Sequence, residues 1–145
     1  MIPKLAVYLL KKYEGYSEKI YICPAGYKTI GYGHVIKADE EIPETVSSDL
    51  AEELLLKDII ISISAINRLI NVKLNHNQLS SLISFTFNLG SGALERSTLR
   101  QKLNRGEYQN AANEFLKWIY AKEVKLLGLI MRRAEEREIF LTENF

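Results

Sequence analysis

A carboxylic acid, a thiol and a hydroxyl lie close together near the N-terminus, as Glu14, Cys23 and Thr29. A carboxyl group that keeps its proton near neutral pH can act as a general acid. An ionised thiol can act as a base or a nucleophile, and a hydroxyl can hold a water molecule by hydrogen bonding. These residue types are therefore candidates for acid–base or nucleophilic chemistry, provided that the fold brings them together.

The segment before Glu14 is predicted to be a short amphipathic helix. Leu5, Leu9 and Tyr13 recur at four-residue spacing, and Gly15 suits the C-terminal cap. The Glu14 carboxylate would then lie at the negative end of the helix dipole and be partly buried, and both effects favour its protonated form. The alternative is a surface glutamate that happens to precede a glycine.

A tight turn is predicted between Cys23 and Thr29. In Cys23-Pro24-Ala25-Gly26 the proline takes the second and the glycine the fourth position of a type I turn. The flanking residues have the composition of strands, so we expect a hairpin that returns Thr29 toward Cys23. Taken alone, Cys23 is more simply a small buried apolar residue, and Thr29 fits equally a β-branched strand residue without a chemical role.

The spacing of these residues resembles a known catalytic motif. Glu14, Cys23 and Thr29, embedded in Tyr-x-Cys-Pro-Ala-Gly and Thr-Ile-Gly-Tyr-Gly-His, are similar to the Glu–Asp/Cys–Thr motif of the phage lysozyme (endolysin) family of muramidases. Further motifs follow in the order and spacing of that family: Phe87-Asn88-Leu89-Gly90, Ser97-Thr98-Leu99, Leu103-Asn104-Arg105-Gly106, Phe115-Leu116-Lys117-Trp118 and Gly128-Leu129-x-x-Arg132-Arg133. The resemblance therefore covers nearly the whole chain.

The resemblance implies a muramidase that cleaves the β-1,4 bond between N-acetylmuramic acid and N-acetylglucosamine in bacterial peptidoglycan, without a metal or an organic cofactor. Glu14 would be the general acid. Cys23 occupies a position where most relatives have aspartate, and a free thiol is mostly protonated at neutral pH. Some relatives carry cysteine here, so two mechanisms stay open: activation of water and attack on the anomeric carbon. The family generally inverts, which favours water activation, with Thr29 holding the water.

The resemblance also implies contacts between the protein and the sugar chain. Family positions in the cleft correspond to Val35 on the near side and to Phe87, Thr98 and Glu114 on the opposite wall. An aromatic ring such as Phe87 can pack on a sugar, while a hydroxyl or a carboxylate can hydrogen-bond to it. A plain core position is an equally good interpretation of Phe87.

His34 suggests a metal ligand or a base at first sight, but no ligand partner lies near it in the sequence, and no metal site is predicted. By resemblance to the family, His34 forms a structural ion pair with Asp58. This pair would raise the pKa of His34 and stabilise the protein at low pH.

Composition sets limits on the class of protein. The chain has 145 residues, of which 47% are hydrophobic and 26% charged, with one cysteine and a formal net charge of +1. It is long enough for one domain with a sizeable core. Its charge gives no strong attraction to nucleic acid or membranes, and its N-terminal apolar run is too short for a membrane span and lacks a cleavage site. We therefore expect no signal peptide and no stable membrane insertion.

The family resemblance adds expectations about cellular context. It implies bacterial peptidoglycan as the partner, a monomeric protein, and lysis of the host at the end of infection. Synthesis would take place in the host cytoplasm and action in the periplasm, with delivery that can depend on a holin.

The remaining pattern predicts a mostly α-helical α+β protein. A long helix begins at Ser47 or Ser48 and continues to about residue 70, and further helices cover residues 75–89, 97–106, 108–119 and 125–141. The fold is expected to be bilobed and lysozyme-like. The N-terminal lobe, about residues 13–60, holds a small antiparallel sheet, and the long helix connects it to a helical C-terminal lobe. That lobe comprises about residues 72–145 plus the helix at residues 3–12.

Two details of the last helix are predicted from periodicity. Leu127, Met131, Ala134 and Ile139 are expected on its inner face. The charged residues in between are expected to form a solvated, pair-rich face: Arg132, Arg133, Glu135, Glu136 and Arg137.

Two other functions remain alternatives. The chain could be a peptidoglycan-binding module whose site is weakened or inactive because of Cys23. It could also be a lytic transglycosylase, which would use Glu14 alone and leave Cys23 and Thr29 dispensable.

Overall fold

The computed structural model describes residues 1–143, so the last two residues of the predicted C-terminal lobe lie outside the described part. Seven α-helices, a 3₁₀ turn and five short strands follow one another within this range. Their bounds are α1 Lys4–Glu14, β1 Ser17–Ile22, β2 Lys28–Gly31, β3 His34–Val35, α2 Ser48–Leu69, α3 His76–Leu89, α4 Ser91–Arg96, α5 Thr98–Asn104, α6 Tyr108–Glu114, 3₁₀ Phe115–Lys117, β4 Tyr120–Ala121, β5 Val124–Lys125 and α7 Leu127–Leu141.

Helix α1 ends where its glycine cap predicts. Gly15 has a positive φ of 68° and donates its N–H to the carbonyl of Lys11. The buried face of the helix, which consists of Ala6, Leu9 and Leu10, packs toward α3. Glu14 is thereby fixed as the last helical residue.

Strands β1, β2 and β3 form one antiparallel sheet in that order. The turn from Cys23 to Gly26 closes the first hairpin, since the Gly26 N–H donates to the Cys23 carbonyl at 2.8 Å. The Cys23 N–H donates to the Tyr27 carbonyl at 2.9 Å, and Tyr21 pairs with Thr29 across the strands. The hairpin therefore returns the chain as its sequence predicts.

The long helix α2 connects two clusters of buried apolar residues. Its N-terminus is capped by Ser47, whose hydroxyl accepts the Leu50 N–H at 3.1 Å. A small cluster beside the sheet consists of Ile30, Val46, Ala51 and Leu54. The larger cluster contains residues from α1 to α7, including Ile59 of α2. This arrangement supports a division into two lobes, although the predicted boundaries at residues 13–60 and 72–145 stay predictions.

Helix α3 contacts α1, α2, α4 and α7. Its N-terminus carries a complete capping box between Asn75 and Gln78. The ring of Phe85 lies edge-on to Phe115 and to Trp118, with 5.5 Å between ring centroids in each pair. The large cluster is therefore built around α3.

Three elements differ from the sequence-based expectation. Helix α4 was not predicted, and the expected helix at residues 108–119 ends at Glu114 and continues as a 3₁₀ turn. The β4–β5 hairpin was also missed. Its turn residues Lys122 and Glu123 have φ values of 49° and 67°, and such turns are normally signalled by asparagine or glycine.

The inner face of α7 was predicted wrongly. Leu127 and Met131 are 71% and 58% exposed, whereas Arg133 and Glu136 are completely buried. Periodicity places apolar residues inside, but here opposite charges pair with one another and with polar groups of α3. Pairing and hydrogen bonding are what make buried charges tolerable.

Candidate active site

Glu14 is held from two sides at the end of α1. The Arg132 guanidinium on α7 donates from Nη1 to Glu14 Oε2 at 2.7 Å, and both side chains are largely buried. On the other side lies the backbone of Gly33, where an added Cβ would come within 2.5 Å of Glu14 Oε1. Gly33 also has a φ of +71°, so a glycine is required here for two reasons.

Cys23 and Thr29 come from the neighbouring hairpin. The pKa of the Cys23 thiol is lowered, chiefly by the backbone N–H of Tyr27 and further by the Thr29 hydroxyl, although partial desolvation opposes this. Thr29 is buried, and its hydroxyl donates to the Tyr27 carbonyl at 3.0 Å. The turn therefore favours an ionised thiol beside a buried hydroxyl.

Tyr21 on β1 is affected by the charges of both Glu14 and Cys23. Burial raises the pKa of the Tyr21 phenol, and the negative charges of Glu14 and Cys23 raise it further. Tyr21 pairs with Thr29 across the hairpin, and Glu14 lies beside Gly33, two residues after the end of β2. Glu14 is therefore placed next to the sheet whose hairpin carries Cys23 and Thr29.

Of two cavities in this region, one is lined by Gly33, the neighbour of Glu14, and the other by Glu14 itself. One, of about 290 Å³, is lined by Val35, Phe87 and the His34–Asp58 pair, with Gly33 at its edge. The other, of about 490 Å³, has a longer lining: Tyr13, Glu14, Asn88, Leu126, Leu127, Gly128, Leu129 and Arg132. The predicted substrate residues Val35 and Phe87 thus share one cavity.

Thr98 and Glu114 line neither of these cavities. Thr98 is the exposed first residue of α5. Glu114 is buried and is bound by Lys102 at 2.9 Å and Lys117 at 2.8 Å. Burial alone would raise the pKa of Glu114, but the two ammonium groups lower it. The carboxylate is therefore already engaged by charges of the protein itself.

His34 lies between two carboxylates. Its Nδ1 is 2.7 Å from Asp58 Oδ2 and its Nε2 is 2.9 Å from Glu40 Oε2. The Asp58 carboxylate raises the pKa of His34, and Glu40 adds to this, whereas burial opposes it. Glu40 was not anticipated from the sequence. Among residues 1–143 no group of histidine, cysteine and carboxylate side chains is placed to hold a metal ion.

Comparison with known proteins identifies the family. Residues 11–136 match the family model described as phage lysozyme. The endolysin of Bacillus phage B103 is 40% identical over 143 residues, which is 97% of this chain and 54% of that protein. The endolysin of Acyrthosiphon pisum secondary endosymbiont phage 1 is 38% identical, over 96% of this chain and 97% of that protein.

The chain belongs to the phage lysozyme family. It spans about half the length of the B103 endolysin but nearly the whole of the endosymbiont phage endolysin. The muramidase domain of SpmX from Asticaccaulis excentricus has the same fold, with a TM-score of 0.88 and 32% identity over 99% of both chains. The predicted lysozyme-like, mostly helical α+β fold is thus confirmed.

Two residues beside Glu14 of this phage lysozyme family member were not predicted from the sequence to belong to the site. Arg132 was placed on a solvated helix face, although its motif with Arg133 was recognised. No local signal marked it, because the carboxylate of Glu14 that it binds is 118 positions away in the sequence. Asn88 lines the Glu14 cavity and was noticed only as part of a motif. None of the helices within the described range is long and apolar enough to cross a membrane.

Proposed function

We propose that the protein is an endolysin-type muramidase that hydrolyses the β-1,4 bond between N-acetylmuramic acid and N-acetylglucosamine in bacterial peptidoglycan. The observation that carries this proposal is the setting of Glu14. Its carboxylate lines a cavity, is held by Arg132 at 2.7 Å and lies beside Gly33, which follows the hairpin of Cys23 and Thr29 by two residues. A fixed carboxyl group beside a second group that activates water is what glycoside hydrolysis needs.

In the proposed reaction Glu14 gives its proton to the leaving glycosidic oxygen as the bond to the anomeric carbon breaks. A water molecule held by the Thr29 hydroxyl attacks that carbon, and its proton passes to the Cys23 thiolate. The lowered pKa of the Cys23 thiol supports this role, because only the thiolate can accept the proton. Direct attack by the thiolate, with a covalent intermediate, is the other route.

The sugar chain would bind along the cavity that is lined by Gly33, the neighbour of Glu14. Phe87 and Val35 offer apolar surface there, and aromatic side chains stack on the apolar faces of sugars. The resemblance also assigns sugar contacts to Thr98 and Glu114. Since neither lines this cavity, their contacts would be made by sugars that extend beyond it.

The biological role follows from the same relationship. The relatives named above are phage endolysins, which supports lysis of a bacterial host by degradation of its wall. We propose that the protein acts as a monomer on peptidoglycan in the periplasm, after synthesis in the host cytoplasm and with delivery that can depend on a holin.

The test is the loss of turbidity of outer-membrane-permeabilised Gram-negative cells, followed by mass spectrometry of the released fragments. The native protein should release hydrated, reducing muropeptides, and Glu14→Gln and Cys23→Ser should lower the rate by at least about a hundredfold. Glu138→Gln, on an exposed position of α7, serves as the matched control.

Each alternative function has its own signature in this assay. Binding to walls without any release would support a binding module. Anhydro products, together with an active Cys23→Ser variant, would support a transglycosylase. Either result would contradict the proposed hydrolysis.

A further inference from the structure

Glu136 is a completely buried carboxylate at the centre of a charge network between α3 and α7. Its Oε1 accepts from Arg133 Nη1 at 2.6 Å. Its Oε2 accepts from the Ser84 hydroxyl at 2.5 Å and lies 3.4 Å from Arg132 Nε. Both oxygens are therefore occupied by groups of the protein, and neither faces solvent.

Each of the two arginines extends from Glu136 to a residue of the active-site cavity. Arg132 uses Nη1 to hold Glu14 at 2.7 Å, and its Nη2 donates to the Ser84 carbonyl at 3.1 Å. Arg133 donates from Nη2 to the side-chain oxygen of Asn88. Since Glu14 and Asn88 line the same cavity, one buried anion connects the two side chains through separate guanidinium groups.

Such a network is a poor way to gain stability. Burial raises the pKa of Glu136 against the attraction of Arg133 and Arg132, which reflects the cost of desolvating its charge. Well-packed apolar residues of similar volume often stabilise a core as well or better. The geometry points to positioning instead of stability, because side chains that touch reacting atoms must be held closely in place.

We propose that Glu136 is a positioning residue for the muramidase reaction, which fixes Glu14 through Arg132 and Asn88 through Arg133. The inference rests on the proposed role of Glu14 as the general acid. Loss of the Glu136 charge would let the Arg132 guanidinium shift, and a displacement of about 1 Å in a catalytic group can lower the rate by about a hundredfold.

Titratable and charged groups from α7, α1 and the sheet surround Glu14. Arg132 and Arg133 face it from α7, Tyr13 adjoins it on α1, and Tyr21 and Cys23 lie on the side of the sheet. The phenol of Tyr13 stays protonated, because burial and Glu135 raise its pKa to about 12. Two arginines and two glutamates balance in the native protein. Neutralising Glu136 would leave Arg132 and Arg133 with Glu14 as the one remaining carboxylate of this network.

The experiment compares Glu136→Gln, Ser84→Ala and the control Glu138→Gln, each measured well below its unfolding temperature. We expect kcat to fall about tenfold or more in Glu136→Gln while KM stays within about twofold, because the variant disturbs the reacting group rather than the sugar contacts. A smaller fall of kcat is expected for Ser84→Ala, which loses one link between Arg132 and Glu136. Glu138→Gln should match the native protein.

A double-mutant cycle separates positioning from general stability. If Glu136 acts on Glu14 through Arg132, its replacement should lower kcat less in an Arg132→Ala background than in the native protein, because only the branch to Asn88 is then left to lose. Fully additive losses, or an unchanged kcat in folded Glu136→Gln, would overturn the proposal. Should Glu136→Gln fail to fold, Ser84→Ala decides by the same readouts: its kcat should fall while its KM stays within about twofold, and an unchanged kcat would overturn the proposal. An active Glu14→Gln variant would instead refute the proposed function itself, so the two failures are distinguishable.

Discussion

Replacement of Asp58 by asparagine should weaken the protein in a pH-dependent way. His34 is nearly buried, with its side chain 8% exposed, and contacts Asp58 at 2.7 Å and Glu40 at 2.9 Å. Hydrogen bonds to charged groups contribute about 1.5–3 kcal/mol each, and burial of the imidazolium offsets part of this. We therefore expect Asp58→Asn to lower the free energy of unfolding by about 2 kcal/mol at pH 6. For a chain of this size that corresponds to a fall of about 4–8 °C in Tm.

The direction of the pH effect follows from the raised pKa of His34. A group that binds its proton more tightly in the folded state stabilises that state. For His34 this stabilisation is fully present below the pKa that histidine has in the unfolded chain, near 6.5. The stabilisation is lost as the pH rises through the higher folded pKa. The difference in stability between native protein and Asp58→Asn should therefore be largest near pH 6 and smaller at pH 9.

Thermal and urea unfolding between pH 5.5 and 9 would measure this difference. Glu53→Gln is a matched control, because its partner Lys57 is 3.9 Å away and both side chains are largely exposed, so its effect should be near zero. An NMR titration of His34 should show a raised pKa in the native protein and a lower one in Asp58→Asn. An equal loss of stability at pH 6 and pH 9 would refute the reasoning.

Two further variants test the site. Gly33→Ala should lower the free energy of unfolding by about 1–2 kcal/mol, because alanine is strained at this positive φ. It should also lower turnover, because the new Cβ meets Glu14 Oε1. Native stability in unfolding experiments together with full activity in lysis assays would contradict this contact. Cys23→Asp should retain activity and shift the acid limb of kcat/KM to lower pH, because an aspartate ionises near pH 4. An unshifted limb in the pH–rate profile would argue against Cys23 as the base.

Elements whose ends carry local signals were predictable from the sequence. Gly15 closes α1 through a positive φ, and Ser47 caps α2 with its hydroxyl. The proline and glycine of the turn after Cys23 set the first hairpin. In each case a few neighbouring residues determine the backbone, so no knowledge of distant parts of the chain is needed. The position of Glu14 at a helix end follows from the same local rules.

The part of the site that could not be predicted depends on contacts between distant segments. Arg132 meets Glu14 across 118 positions of sequence. Glu136 meets Ser84 of α3, a serine that looks like an ordinary polar helix residue. Hydropathy assigns arginine and glutamate to the surface because the single residues are costly to bury. Only the pairing of both signs in one place reverses that preference, and pairing of this kind is not visible in the periodicity of one helix.

The turn that carries Cys23 shows how local backbone can replace a side chain. Where most of the family has an aspartate with a fixed negative charge, this chain has a thiol that ordinarily keeps its proton. The N–H groups of Tyr27, Ala25 and Gly26 and the Thr29 hydroxyl lower the pKa of that thiol. The same turn that returns Thr29 toward Cys23 therefore also favours a negative charge at Cys23, which would stabilise the oxocarbenium-like transition state of the proposed reaction. Cysteine at this position is for that reason consistent with an active enzyme.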